Sequence, residues 1–146
     1  TINSGVGKSL KDDKFVDAVV NTLSRISGQK PMLTRARKSI SAFKIRQGMT
    51  VGVMVSLRGK RMYDFLDKLI NVTLPRVRDF QGIDPTSIDR NGHLTIGFKE
   101  HVVFPEIRPD EVERIHGLEV TVTTTAKNAE HGLALFTHLG IPFKKD

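Results

Sequence analysis

The sequence contains no cysteine and no tryptophan, and only one tyrosine. Without cysteine there is no disulfide framework, no thiolate-bound zinc or iron-sulfur cluster and no thiol nucleophile. A single domain of 146 residues needs none of these, because a chain of that length buries about two thirds of the surface it exposes when unfolded. No apolar run approaches the roughly 20 residues that cross a bilayer, so a membrane span is excluded, and no apolar leader segment is visible. The five histidines include no i, i+4 pair and no His-Glu-x-x-His run, so the spacing of a helical zinc site is missing. There is no Gly-x-Ser-x-Gly elbow. The paired acids Asp12-Asp13 and Asp110-Glu111 stand where helix N-termini attract negative charge. Gly7-Lys8-Ser9 ends like a phosphate-binding loop, yet Ile2 occupies the position of that motif's first glycine. Nothing in these residues points to an enzyme, a metal, a cofactor or a small-molecule substrate.

The most informative absence is of acid. Between Asp17 and Asp64 there is no Asp or Glu, while Arg25, Lys30, Arg35, Arg37, Lys38, Lys44, Arg46, Arg58, Lys60 and Arg61 contribute ten positive charges. The remainder carries 13 basic against 16 acidic residues, so the whole net charge of +7 originates in one third of the chain. So concentrated a field suits a polyanion, of which nucleic acid is the commonest.

Periodicity supplies the elements. A strand ending near Asn3 runs into a glycine turn at Ser4-Gly5-Val6-Gly7. Phe15, Val16, Val19, Val20, Leu23 and Ile26 then recur at helical spacing, closed by Gly28. A short extended segment at residues 31–34 leads to a long basic loop over 35–48. Val51, Val53, Val55 and Leu57 alternate with Gly52, Met54, Ser56 and Arg58, the mark of a strand with one buried face. A second helix starts near Lys60 and stops before Pro75. Two strands follow, around Leu94-Ile96-Phe98 and Leu118-Val120-Val122, separated by a short helix opening at Pro109. A last helix runs from Asn128 to Leu139, ended by Gly140. The order β-α-β-β-α-β-β-α predicts an α+β fold. It is a single two-layer domain over 1–146, with a mainly antiparallel sheet, helices packed on one face and the other face open for RNA. Phe43, inside the basic loop, and Phe80 each suit either stacking on a base or ribose or pinning their loop to the core, and for Phe80 the pin is the better reading. The aromatic signature of the RNA-recognition motif is missing, since Arg58-Gly59 is followed by Lys60-Arg61.

Several runs together resemble the large-subunit ribosomal protein L-five family. They are Gly28-Gln29-Lys30-Pro31, Ala36-Arg37-Lys38-Ser39-Ile40, Phe43-Lys44-Ile45-Arg46-Gln47-Gly48, Ser56-Leu57-Arg58-Gly59, Leu74-Pro75-Arg76-Val77-Arg78-Asp79-Phe80, Phe104-Pro105-Glu106-Ile107, Thr123-Thr124-Thr125-Ala126-Lys127 and Pro142-Phe143-Lys144-Lys145. The resemblance covers the whole chain in order, without the family's additional N-terminal helix. It implies a non-catalytic ribosomal protein of the central protuberance, in a cytoplasmic, bacterial-type or organellar ribosome. The implied partners are 5S rRNA, 23S-type rRNA, the P-site tRNA, other central-protuberance proteins and the small-subunit protein S-thirteen. Carried over by motif, 5S rRNA contacts fall on Asn3, Gln29, Ser56 and Arg58. The tRNA-facing loop, 36–47, carries Arg37, Lys38, Ser39, Phe43, Lys44 and Arg46. The chain departs from the family at Ser56, which replaces a usual Thr but keeps the hydroxyl. It departs also at Ser4, at Asp89-Arg90-Asn91-Gly92-His93-Leu94 and at His116, and the last two changes fall in loops connected with the intersubunit bridge.

Overall fold

The computed structural model describes residues 1–7, 13–37, 47–112 and 114–145. In chain order its main elements are β1 (Ile2–Gly5), α1 (Asp13–Ser27), β2 (Met32–Arg35), β3 (Thr50–Val55), α2 (Lys60–Lys68), β4 (Leu94–Phe98), β5 (Leu118–Val122) and α3 (Ala129–Leu139). Among the described residues the strands form one sheet in the order β2-β3-β1-β5-β4, every neighbouring pair antiparallel. The α+β reading is therefore correct. Lys8 and Ser9 lie outside the described residues.

Alternation decides which way the sheet faces. Ile2, Val53, Val55, Leu94, Ile96, Phe98, Leu118 and Val120 are buried beneath the helices. Helix α1 contributes Val19, Leu23 and Ile26, and α2 contributes Phe65 and Leu66. Phe104, fully buried, stacks on Phe65 at 6.2 Å and meets Phe98 edge-on at 5.3 Å. Lys68 on α2 donates to the Ile26 carbonyl at 2.7 Å and pairs with Glu106, tying α2 to the end of α1 and to the segment after Phe104. Helix α3 is capped by Asn128, whose side chain accepts from the His131 N–H at 2.9 Å, and is closed by Gly140 at φ 100°. It seats against Gly92, where a Cβ on Gly132 would lie 2.7 Å from the Gly92 Cα.

Three expectations change in detail, and one holds. Ser4 and Gly5 are not a turn but the end of β1, paired with Val53 and Gly52. The Ser4 hydroxyl donates to the Gly117 carbonyl at 2.8 Å, so tertiary pairing overrides the local glycine signal. The ends of the basic loop are hairpin-paired: Arg35 sits in β2, the Ala36 N–H donates to the Met49 carbonyl at 2.8 Å and the Gly48 N–H to the Ala36 carbonyl at 2.9 Å. The helix at Pro109 is a single turn, Pro109–Glu111. Phe80 packs partly buried against the core, as a pin would.

His116 proves to be a core residue. It is buried with His101, the rings stacked at 4.0 Å. The backbones are joined by the His101 N–H donating to the His116 carbonyl at 2.9 Å. The outer side of His116 meets Phe15 edge-on at 5.9 Å and Thr22 Oγ1 at 3.3 Å. Burial, with the neighbouring imidazole adding to it, pushes His101 down to about 4 from an ordinary 6.5. Burial also lowers His116. Both rings stay neutral in the fold over a range where a solvated imidazole protonates. Below pH 6.5 the unfolded chain takes up protons that the folded chain refuses, so stability that is complete above that value is lost as pH falls toward about 4. Urea unfolding measured down this range should show a loss on the order of 3 kcal/mol from His101, and replacing both histidines by Gln should flatten that part of the profile.

Candidate nucleic-acid interface

The face turned away from the helices is set by the same register. Met32 and Thr34 on β2 oppose Met54 and Gly52 on β3. Asn3 and Gly5 on β1 oppose Met54 and Gly52 from the other side. Asn3 also opposes Glu119 on β5, and Glu119 and Thr121 oppose Gly97 and Thr95 on β4. The result is a mostly uncharged floor over which the described residues place no helix. Gly52 is required by its neighbours: a Cβ there would stand 2.6 Å from Thr34 Oγ1 and 3.3 Å from the Ser4 carbonyl.

Beyond the end of β3 the chain continues through exposed Ser56 and Arg58 to Gly59, whose φ of 63° turns it into α2. Gln29 reaches this corner from the end of α1. Its backbone N–H donates to Ser27 Oγ at 3.2 Å, its side-chain amide donates to the Ser56 carbonyl at 2.8 Å, and Arg61 donates to its side-chain carbonyl at 3.3 Å. Gln29, Ser56 and Arg58 are thus brought to one corner, and Asn3 lies nearby on the adjoining strand. A cleft of about 350 Å³ opens between Ser56-Arg58 and Thr121-Thr123.

Lys30, Arg35, Arg37, Arg58, Lys60 and Arg61 are exposed, and none has an ion pair among the described residues. The first turn of α2 carries no acid to offset them. Arg25 behaves differently, because it pairs with Glu111 at 3.1 Å. It drops out of the polyanion set that its place in the acid-free third suggested. Arg37 lies at the base of the hairpin. Lys38, Ser39, Phe43, Lys44 and Arg46 fall outside the described residues. Sequence reasoning missed Arg61 as the partner of Gln29, and it missed Met32, Thr34, Glu119, Thr121, Thr95 and Gly97 as parts of the same face. The alternation of Glu119 with Leu118 and Val120 did mark Glu119 as outward, but no local signal places β5 beside β1.

An open antiparallel face with polar side chains, bare backbone and cations along one side can hold RNA by shape, by hydroxyl contacts and by phosphate neutralisation. Residues 1–46 match a family model described as ribosomal protein L5, and residues 50–143 match the model of the same ribosomal family's C-terminus. The chain belongs to the ribosomal protein L5 family. Its relatives include the large ribosomal subunit protein uL5 of Anaeromyxobacter sp. (strain K), 53% identical over 99% of this chain and 80% of that protein. The uL5 of Syntrophomonas wolfei is 54% identical over 98% of this chain and 80% of that protein. The uL5c of Paulinella chromatophora is 49% identical over 100% and 82%. Ribosomal L5 is a structural, non-enzymatic family, and this chain is not an enzyme.

Because Thr34 and Ser4 crowd Gly52, Gly52→Ala should lower stability by about 1–2 kcal/mol, read as a lower urea midpoint at unchanged denaturant slope.

Proposed function

We infer that the protein is a structural constituent of the large ribosomal subunit and that its open sheet face binds 5S rRNA, holding it in the central protuberance. The observation that carries this reading is the charge arrangement: unpaired cations border one side of a helix-free sheet face in an L5-family chain. In the proposed complex Arg58 neutralises a phosphate and Ser56 meets a ribose hydroxyl. Asn3 offers an amide to base or sugar, and Gln29 holds Arg61 toward the backbone of the RNA. The basic hairpin loop, carrying Arg37, Lys38, Ser39, Phe43, Lys44 and Arg46, reaches the P-site tRNA. The exposed tip at Arg90-Asn91 is offered for the bridge to the small-subunit protein S-thirteen, and 23S-type rRNA and other central-protuberance proteins are the remaining neighbours. His116, being buried, acts on the fold and takes no part in that bridge.

Filter binding of 5S rRNA tests the division of labour. Raising salt about fourfold should weaken the complex by roughly two to three orders of magnitude, as expected for several phosphate contacts. Arg58→Ala should weaken it about tenfold, or about 1.4 kcal/mol, with a shallower salt slope. A double change of Arg37 and Lys38 to Ala should leave 5S rRNA affinity nearly intact and reduce tRNA occupancy on assembled ribosomes. Equal losses from the two variants would refute the separation of the two surfaces.

A further inference from the structure

The open face carries three glycines at strand positions, Gly5, Gly52 and Gly97. Glycine weakens a strand and persists there where the backbone bends or bulges, or where another body comes close. Gly52 has an internal cause in Thr34 and Ser4. Gly5 and Gly97 have none. Neither adopts positive φ, both stand in regular register, and nothing among the described residues lies within 4 Å of a Cβ built on either. Among the described residues nothing fills the space they leave bare, which suits the close approach of another body.

Glu119 stands beside Gly97, with Asn3, two residues from Gly5, on its other side. It is exposed and has no ion pair among the described residues. The unpaired cations lie elsewhere, along β2 and at the start of α2. A lone carboxylate in the middle of a face that receives a polyanion repels phosphate, so it benefits binding only where it meets hydrogen-bond donors. RNA presents donors in its 2′-hydroxyls and in its base edges; the base groups that best suit a carboxylate are the adjacent imino and amino groups of guanine and the amino group of cytosine, which are free for contact in unpaired segments.

Resting on the 5S rRNA reading above, we propose that Glu119 accepts hydrogen bonds from the edge of an unpaired guanine or cytosine of the bound RNA. Gly5 and Gly97 let that nucleotide lie against the sheet backbone, and the Asn3 amide stands beside it. This makes the β5–β4 half of the face the part that selects sequence, and the cationic side the part that supplies affinity.

Two variants and 5S rRNA transcripts test the proposal. Glu119→Gln removes a negative charge from a polyanion-binding face, so electrostatics alone predicts tighter binding; base reading predicts binding about tenfold weaker. Gly97→Thr fills the bared space with a strand-favouring residue; it should melt no lower than the parent yet bind about tenfold or more weakly. In a panel of transcripts with single guanine or cytosine changes, one change should weaken the parent about tenfold and Glu119→Gln not at all. Unchanged or tighter binding by both variants, with the parent binding 5S rRNA specifically, overturns this inference and leaves the 5S rRNA reading standing. A Glu119→Gln loss that disappears when magnesium is withdrawn puts a hydrated ion, and not a base, against the carboxylate, and overturns it too. Failure of the parent to prefer 5S rRNA over an unrelated RNA of equal length overturns both.

Discussion

The antiparallel ladder on both sides of β1 is the interaction on which the rest of the molecule depends. Only four residues long, β1 joins the β2-β3 hairpin to the β4-β5 pair, and without it the sheet is two separate ribbons. Two-stranded ribbons are marginal in water. Closing the ladder between Ile2 and Val120 buries both against the helices. The same register that puts Ile2 inside puts Asn3 outside, and a slip of one residue would exchange them. Core and binding face are thus two consequences of one alignment.

That alignment also separates the chain's charges. Arg25 pairs with Glu111 and Lys68 with Glu106. The cations around β2 and the start of α2 have no ion pair among the described residues, so a phosphate backbone can neutralise them without first displacing a carboxylate. Such cations contribute strongly to association and little to folding. The glycine-bearing centre, with the single carboxylate of Glu119, does the reverse of a packed surface, because it leaves room.

The buried imidazole pair shows the other side of the same arrangement. His101 and His116 fill space between the end of the sheet and α1 as flat, neutral rings, linked by a backbone hydrogen bond. They serve packing at neutral pH and oppose it when protonated. Beyond their window, Asp89, held below its ordinary value chiefly by the His93 N–H, and Asp84, held down chiefly by the Thr86 N–H, become the acid-sensitive groups.

Much of this was legible locally. Alternation marked β3 and its outward residues Gly52 and Met54, although the strand stops at Val55, short of Ser56 and Arg58, and helical spacing marked α1. Asn128 and Gly140 marked the ends of α3, and the acid-free run marked the region whose cations, Arg25 apart, have no ion pair among the described residues. These are signals with periods of two to four residues, carried by each segment on its own. The local signals were wrong at Ser4-Gly5, where a turn-forming pair is held extended by partners from β3 and by Gly117. They were silent on Arg25, whose charge is taken up by Glu111, on Arg61, which holds Gln29, and on Glu119, which lies beside Asn3 only because β5 pairs with β1. The sequence by itself determined the elements, their faces and the excess of charge, because each is a property of a short stretch. Only the tertiary structure decided which strands are neighbours. Pairing between residues more than a hundred positions apart depends on how the whole apolar surface closes, and that leaves no trace in any single segment.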